Sequence, residues 1–156
     1  MTVTFCGHAE IAQSDNVRGW LISTIEPLIA DGADTFYLGG YGSFDGLAAA
    51  VLRELKKTYP HIQIILVLAY LNRNIDTSGY DSTLYPELEE VPPRFAISKR
   101  NERMIDMADV VVAYVTHGWG GAAKTLEYAK RKRKVIHCFS HEKTPIIESA
   151  SLQETV

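Results

Sequence analysis

Apolar residues along this chain fall into short runs that alternate with amphipathic stretches. Val3 to Cys6 is a brief apolar run ending at Gly7 and His8, and it reads as a first strand. Val17, Trp20, Leu21, Ile25, Leu28 and Ile29 then recur at helical spacing, with Ser14 or Asp15 as the expected N-cap. Pro27 is expected to bend or weaken that helix near its end, and Asp31-Gly32 to stop it. Thr35 to Leu38 reads as a second strand, followed from Phe44 by a helical stripe through Leu47, Ala48, Val51, Leu52 and Leu55. Ile62 to Tyr70 is almost continuously apolar, the pattern of a strand covered on both faces.

Leu71 to Pro93 carries no regular pattern and contains Gly79, Pro86 and Pro92. More than about 15 such residues inside one domain point to a functional loop or lid. Beyond it, the spacing predicts a helix over Ser98 to Met107, a strand over Asp109 to Tyr114, a helix over Ala122 to Lys132, and a last strand over Val135 to Phe139. Strand and helix alternate throughout, so an α/β fold follows: a mainly parallel sheet of about five strands with helices on both faces. Residues 1–140 are expected to form this domain, and 141–156 a C-terminal tail.

Glycines concentrate where strands hand over to helices. Gly39, Gly40 and Gly42 follow the second strand, while Gly118, Gly120 and Gly121 follow the fourth. Each group leads into a helix N-terminus, where free N–H groups and the helix dipole favour an anion such as phosphate. Ligands of open parallel sheets bind beyond the C-terminal strand ends, where both junctions fall. Glycine is also the default turn residue, so one junction alone would mean little. Neither junction matches G-x-x-x-x-G-K-[ST], which excludes a nucleoside-triphosphatase P-loop. No G-x-G-x-x-G follows the first strand, which disfavours a standard nicotinamide-dinucleotide dehydrogenase.

Composition narrows the partners. The 156 residues, 46% hydrophobic and 22% charged, suit one soluble domain. A net charge of −3 gives no general attraction to nucleic acid or to an anionic membrane. No apolar run approaches the roughly 20 residues that span a bilayer, and no basic leader precedes an apolar segment, so a cytoplasmic protein is expected. Cys6 and Cys138 suggest buried thiols, neither a disulfide framework nor a zinc spacing. The basic run Lys130 to Lys134 closes a helix, where it complements the C-terminal dipole. No metal site is expected: His137 and His141 stand four apart on a strand end and the tail.

The stretches "LGGYGSFD" and "ISKRNERMIDMADVVVAYVTHGWGGAAKTLEYAKRK" resemble the SLOG superfamily, named for the lonely-guy phosphoribohydrolases and the DNA-processing protein Smf. The similarity covers most of the chain and is greatest to a small single-domain bacterial group. Lonely-guy enzymes carry a GGG-type loop, then R-K-x-x-M-x-x-x-A-D, then P-G-G-x-G-T-x-E-E; Arg100, Met104, Ala108 and Asp109 match the middle motif in spacing. Asn101 stands where those enzymes have lysine, His117-Gly118-Trp119 replaces the approach through proline, and one extra residue precedes Thr125. The resemblance implies a Rossmann-like nucleotide pocket, with Arg100 and Glu127 as counterparts of the catalytic pair.

Arg100 is a candidate for a bidentate phosphate contact, against a solvated place on a helix surface. Glu127 is a candidate for binding ribose or stabilising an oxocarbenium-like centre, against an exposed glutamate near Lys130 and Arg131. Ser43 and Asp45 are candidate ligand groups that could equally cap or complement the second helix. Gly7, His8, Tyr70, Tyr80 and Thr125 complete the candidate binding set. Trp119, flanked by glycines, fits base stacking or core cover alike.

The expectation is a nucleotide-binding protein without a cofactor, with phosphate at Gly39 to Ser43 and Gly120 to Thr125. A nucleoside 5′-monophosphate phosphoribohydrolase and a sensor or sponge for an NAD-derived or cyclic nucleotide signal stay open. The expected partner is a small-molecule nucleotide, with a homodimer left open; nucleic acid is disfavoured on charge.

Overall fold

The structure is a computed structural model, and it describes residues 1–141. In chain order it contains β1 (Thr2–Gly7), α1 (Val17–Ala30), β2 (Thr35–Leu38), α2 (Gly42–Thr58), β3 (Gln63–Val67), β4 (Ser82–Leu84), a short 3-10 turn (Pro93–Phe95), α3 (Ala96–Met107), β5 (Val110–Tyr114), α4 (Gly121–Arg131) and β6 (Val135–Cys138). The strands form one six-stranded sheet in the order β4-β3-β2-β1-β5-β6. Every pairing is parallel.

The central strands are apolar on both faces because both faces are covered. In β5, Val110, Val112 and Tyr114 enter the larger core beneath α1 and α2, while Val111 and Ala113 enter the smaller one beneath α3 and α4. The same alternation sends Val3 and Phe5 of β1 to the first core and Cys6 to the second. The result is the three-layer α/β arrangement that the alternating pattern implies.

The sheet has six strands instead of about five. β4 lies inside the stretch read as a patternless loop, pairing Ile65 with Ser82 and Val67 with Leu84. Three edge residues, two exposed and only Leu84 half-buried, carry too little apolar periodicity to announce a strand. Asp81 supplies the missing information in three dimensions: its Oδ2 accepts from the Ile64 N–H at 2.7 Å, and its own N–H donates to the Ile64 carbonyl at 2.8 Å.

Local boundaries differ in instructive ways. Asn16, not Ser14 or Asp15, caps α1, its Oδ1 accepting from the Gly19 N–H at 3.1 Å. Asp15 instead accepts from the Tyr114 hydroxyl at 2.6 Å, across the top of the sheet. α1 continues through Pro27 and closes when the Asp31 N–H reaches the Pro27 carbonyl. β3 stops at Val67, leaving Tyr70 in the following turn. Cys138 is exposed, contrary to expectation, while Cys6 is buried. Apart from His141, the expected tail lies outside the described residues.

Candidate functional site

The sheet order turns at β1, which pairs with β2 on one side and β5 on the other. Connections leaving the C-terminal ends of β1 and β5 therefore diverge, and a crevice opens between them. Here it is a cleft of about 810 Å³, floored by Cys6, Gly7 and Tyr114. The N-termini of α2 and α4 reach it through Gly42 and Gly120–Gly121, and α3 contributes Ile97 and Arg100. Among the sequence candidates, Gly7, His8, Gly42, Asp45, Arg100, Gly120, Gly121 and Thr125 line this one space.

Arg100 is neither a solvated surface residue nor a free pocket arginine. It is 2% exposed, and its Nη1 donates to the carbonyls of Gly39 at 2.8 Å and Val67 at 3.0 Å. Its Nε donates to Asn101 Oδ1 at 2.9 Å, while Nη2 has no hydrogen bond to any described residue. Gly39 is glycine for this reason: a Cβ there would lie 2.7 Å from the guanidinium carbon. Arg100 thus ties the ends of β2 and β3 to α3 while lining the cleft, its guanidinium carbon 5.4 Å from the centre of the Tyr41 ring.

Asp45 sits beneath the same loop. Its Oδ2 accepts from the Gly39 N–H at 3.2 Å, and the buried carboxyl is pushed up to about 6 by desolvation, opposed by the nearby Arg100 charge and the backbone N–H groups of residues 39–41. The first glycine junction therefore turns its N–H groups inward, onto a carboxyl of the protein itself. Ser43 is neither an N-cap nor available through its amide, because its N–H donates to the Ala9 carbonyl at 2.7 Å. Gly42 has φ +82°, and a Cβ there would meet the Ala9 Cα at 2.7 Å, so glycine lets the loop after β1 close over α2. Gly40, with φ +76°, faces the Leu66 side chain. It is a structural turn residue, and bulk there would strain the fold.

The second junction is organised differently. Gly120 precedes α4 with φ +90°, and the first intrahelical bond runs from the Lys124 N–H to the Gly120 carbonyl. The N–H groups of Gly121, Ala122 and Ala123 have no acceptor among the described residues, as expected for a helix start. Gly121 has nothing within 4 Å of its Cβ direction, so the helix end stands open.

Three rings are stacked at the mouth of this junction. The His117 ring lies 3.8 Å from His8 at an interplanar angle of 10°, and 3.9 Å from Trp119 at 20°. Two rings cannot share one face at those distances, so His117 is sandwiched between them. His8 Nε2 accepts from the Thr116 N–H at 2.8 Å, which leaves the proton of the neutral ring on Nδ1. Desolvation, and then His117, hold His8 below the usual histidine value. The buried Nδ1 of His117 lacks a partner among the described residues.

Several candidates stand elsewhere. Glu127 is an exposed residue paired with Lys130 at 3.2 Å; it lines a separate groove between α3 and α4 that also contains Gly118. It does not meet Arg100. Thr125 borders both spaces, its Oγ1 donating to the Gly121 carbonyl at 2.9 Å. The Tyr70 hydroxyl donates to the Pro93 carbonyl at 2.8 Å, with Arg73 over its ring, and Tyr80 packs against the larger core. Neither lines the cleft.

Sequence reasoning missed Glu10, Tyr41 and Ile97, all lining the cleft. Glu10 lies in a loop without a motif, while Tyr41 and Ile97 fall inside the two SLOG-like stretches, beside the glycines and the arginine that carry the resemblance. No His, Cys, Asp or Glu cluster among the described residues could hold a metal ion. Cys6 is held as a thiol, pushed up to about 12 by burial, so it offers no nucleophile to the cleft. No helix of the described residues is long and apolar enough to cross a membrane.

No protein-family model matches this chain, and no curated protein matches it. Solved structures do. DNA processing protein A from Helicobacter pylori, whose structure was described for its unique single-stranded DNA binding mode, superposes with a TM-score of 0.63 at 16% identity, over 92% of this chain and 67% of that one. The structural-genomics target TM1055 superposes with a TM-score of 0.59 at 16% identity, over 86% of this chain and 71% of that one. At this identity the shared property is the fold. Sharing it with a DNA-processing protein agrees with the SLOG resemblance of the sequence.

Proposed function

We propose that this protein binds a nucleotide or nucleotide derivative in the cleft between the ends of β1 and β5, with the ligand phosphate at the N-terminus of α4. The observation that carries this reading is that the open first turn of α4 and the buried Arg100, whose Nη2 has no hydrogen bond to any described residue, line one cleft. A helix start supplies oriented N–H donors and a favourable dipole, and a guanidinium nitrogen supplies charge. The first glycine junction plays a different part from the one expected of it. Its N–H groups serve Asp45, so it shapes the wall and leaves phosphate to the second junction.

Binding is favoured over hydrolysis. An N-glycosidase needs a carboxylate at the sugar, yet Glu127 faces the outer groove and Asp45 is held under the glycine loop. Glu10, the other carboxylate lining the cleft, is exposed to water, where a carboxylate stabilises a developing cation far less than in a dry site. A small molecule is favoured over a strand of nucleic acid by the net charge of −3. A cytoplasmic setting, a single domain over residues 1–140 and a homodimer remain parts of this proposal.

Mass spectrometry of small molecules released from the purified, denatured protein tests it, together with calorimetric titration of nucleoside 5′-monophosphates. A co-purifying nucleotide, or saturable 1:1 binding, supports the reading. Absence of both overturns it, and release of free base on incubation would restore the hydrolase.

A further inference from the structure

Trp119 is 73% exposed although its ring is large and apolar. One face of the indole rests on His117 at 3.9 Å, so the exposure belongs to the rest of the ring. A single exposed aromatic is ordinary by itself; the stack beneath this one and its place on the cleft set it apart. It is also pre-ordered: His8 and His117 fix it from beneath, and the His8 imidazole is pinned by the Thr116 N–H. The His8 ring favours its neutral form, because burial and the neighbouring His117 hold it below its usual value. Gly118 and Gly120 flank the indole and have nothing within 4 Å of their Cβ directions, so no side chain crowds its approach.

We infer that the outer face of Trp119 is the base-stacking position of the cleft, where a nucleobase becomes the fourth ring of the His8–His117–Trp119 column. This rests on the nucleotide reading above and adds an orientation to it. Trp119 and the first turn of α4 are two residues apart in sequence, so one mononucleotide can place its base on the indole and its phosphate against Gly121 and Ala122. Stacking on an aromatic face is tolerant of base identity, since every base presents a π face. Selectivity among bases should accordingly be weak, and the base should add affinity over ribose phosphate alone.

The chain has two tryptophans, Trp20 and Trp119. In a Trp20→Phe background the fluorescence reports Trp119 alone, and Phe preserves the aromatic contact of Trp20 with Phe139. The probes are adenosine 5′-monophosphate, ribose 5-phosphate and a ten-residue oligo-dA. Adenosine 5′-monophosphate should quench the emission on binding, and Trp119→Ala should weaken it about tenfold or more while leaving ribose 5-phosphate unchanged. If the mononucleotide binds with no quench and with equal affinity to Trp119→Ala, the stacking position is wrong and the nucleotide reading survives. Failure of every probe overturns both. Oligo-dA binding far more tightly than the mononucleotide, and weakened by Trp119→Ala, would keep the stacking position but overturn the small-molecule reading.

Discussion

The Nη1 of Arg100 donates to the carbonyl oxygen of Gly39 at 2.8 Å, joining two residues 61 positions apart in the chain. Gly39 belongs to the first glycine junction and Arg100 to the segment with lonely-guy-like spacing, so one hydrogen bond connects both sequence signals. The same nitrogen reaches the Val67 carbonyl, so Arg100 holds the ends of two adjacent strands. Burial of the guanidinium is tolerable because the carbonyls satisfy it and Asp45 lies close by.

Arg100→Ala should therefore destabilise the fold, beyond the loss of the phosphate contact that the sequence suggested. Removing it strands two buried carbonyls and the Asp45 carboxyl, for a loss of roughly 2–4 kcal/mol. Chemical denaturation of the variant measures this. An unchanged midpoint would return Arg100 to a purely ligand-binding role.

Asp45 should make stability depend on pH between about 4 and 6. Its carboxyl is raised from 3.8 to about 6 in the folded protein, chiefly by desolvation. Between those values the native state keeps a proton that the unfolded chain releases, so stability falls as pH rises through this window and levels off above it. The full change is of the order of 2–3 kcal/mol. Asp45→Asn retains an acceptor for the Gly39 N–H and should abolish the slope, which denaturation at a series of pH values would show.

Gly121→Asp should separate ligand binding from folding. The position has open space around it and begins α4, where a carboxylate complements the helix dipole. Melting temperature should hold or rise slightly. A carboxylate at that helix start competes with phosphate and repels it, so affinity for a nucleoside 5′-monophosphate should drop at least tenfold in calorimetric titration. Equal affinity would place the phosphate elsewhere.

Glu127→Gln should change neither nucleotide affinity nor stability beyond experimental error, because the side chain is exposed and its partner Lys130 is a surface residue. Isothermal titration against the wild type settles the point. A marked loss of binding would show that the groove between α3 and α4 participates.

The alternation of apolar runs and helical stripes was enough to determine a parallel α/β sheet with helices on both faces, since a strand covered twice must be apolar throughout. It also placed glycines at two strand-to-helix junctions. Which junction keeps its N–H groups for a ligand was decided only by tertiary contacts: Asp45 folds back under residues 39–41, while Gly121 to Ala123 meet no acceptor among the described residues. The same holds for Arg100, whose spacing was legible but whose carbonyl partners lie at the ends of β2 and β3, and for the His8–His117–Trp119 column, in which His8 meets residues more than 100 positions away. β4 was invisible in the pattern because an edge strand of three residues is specified by Asp81 and its neighbour β3, not by its own periodicity. Strong local patterns set the central strands and the helices. What their ends face depends on partners that the chain brings near only after the sheet has assembled.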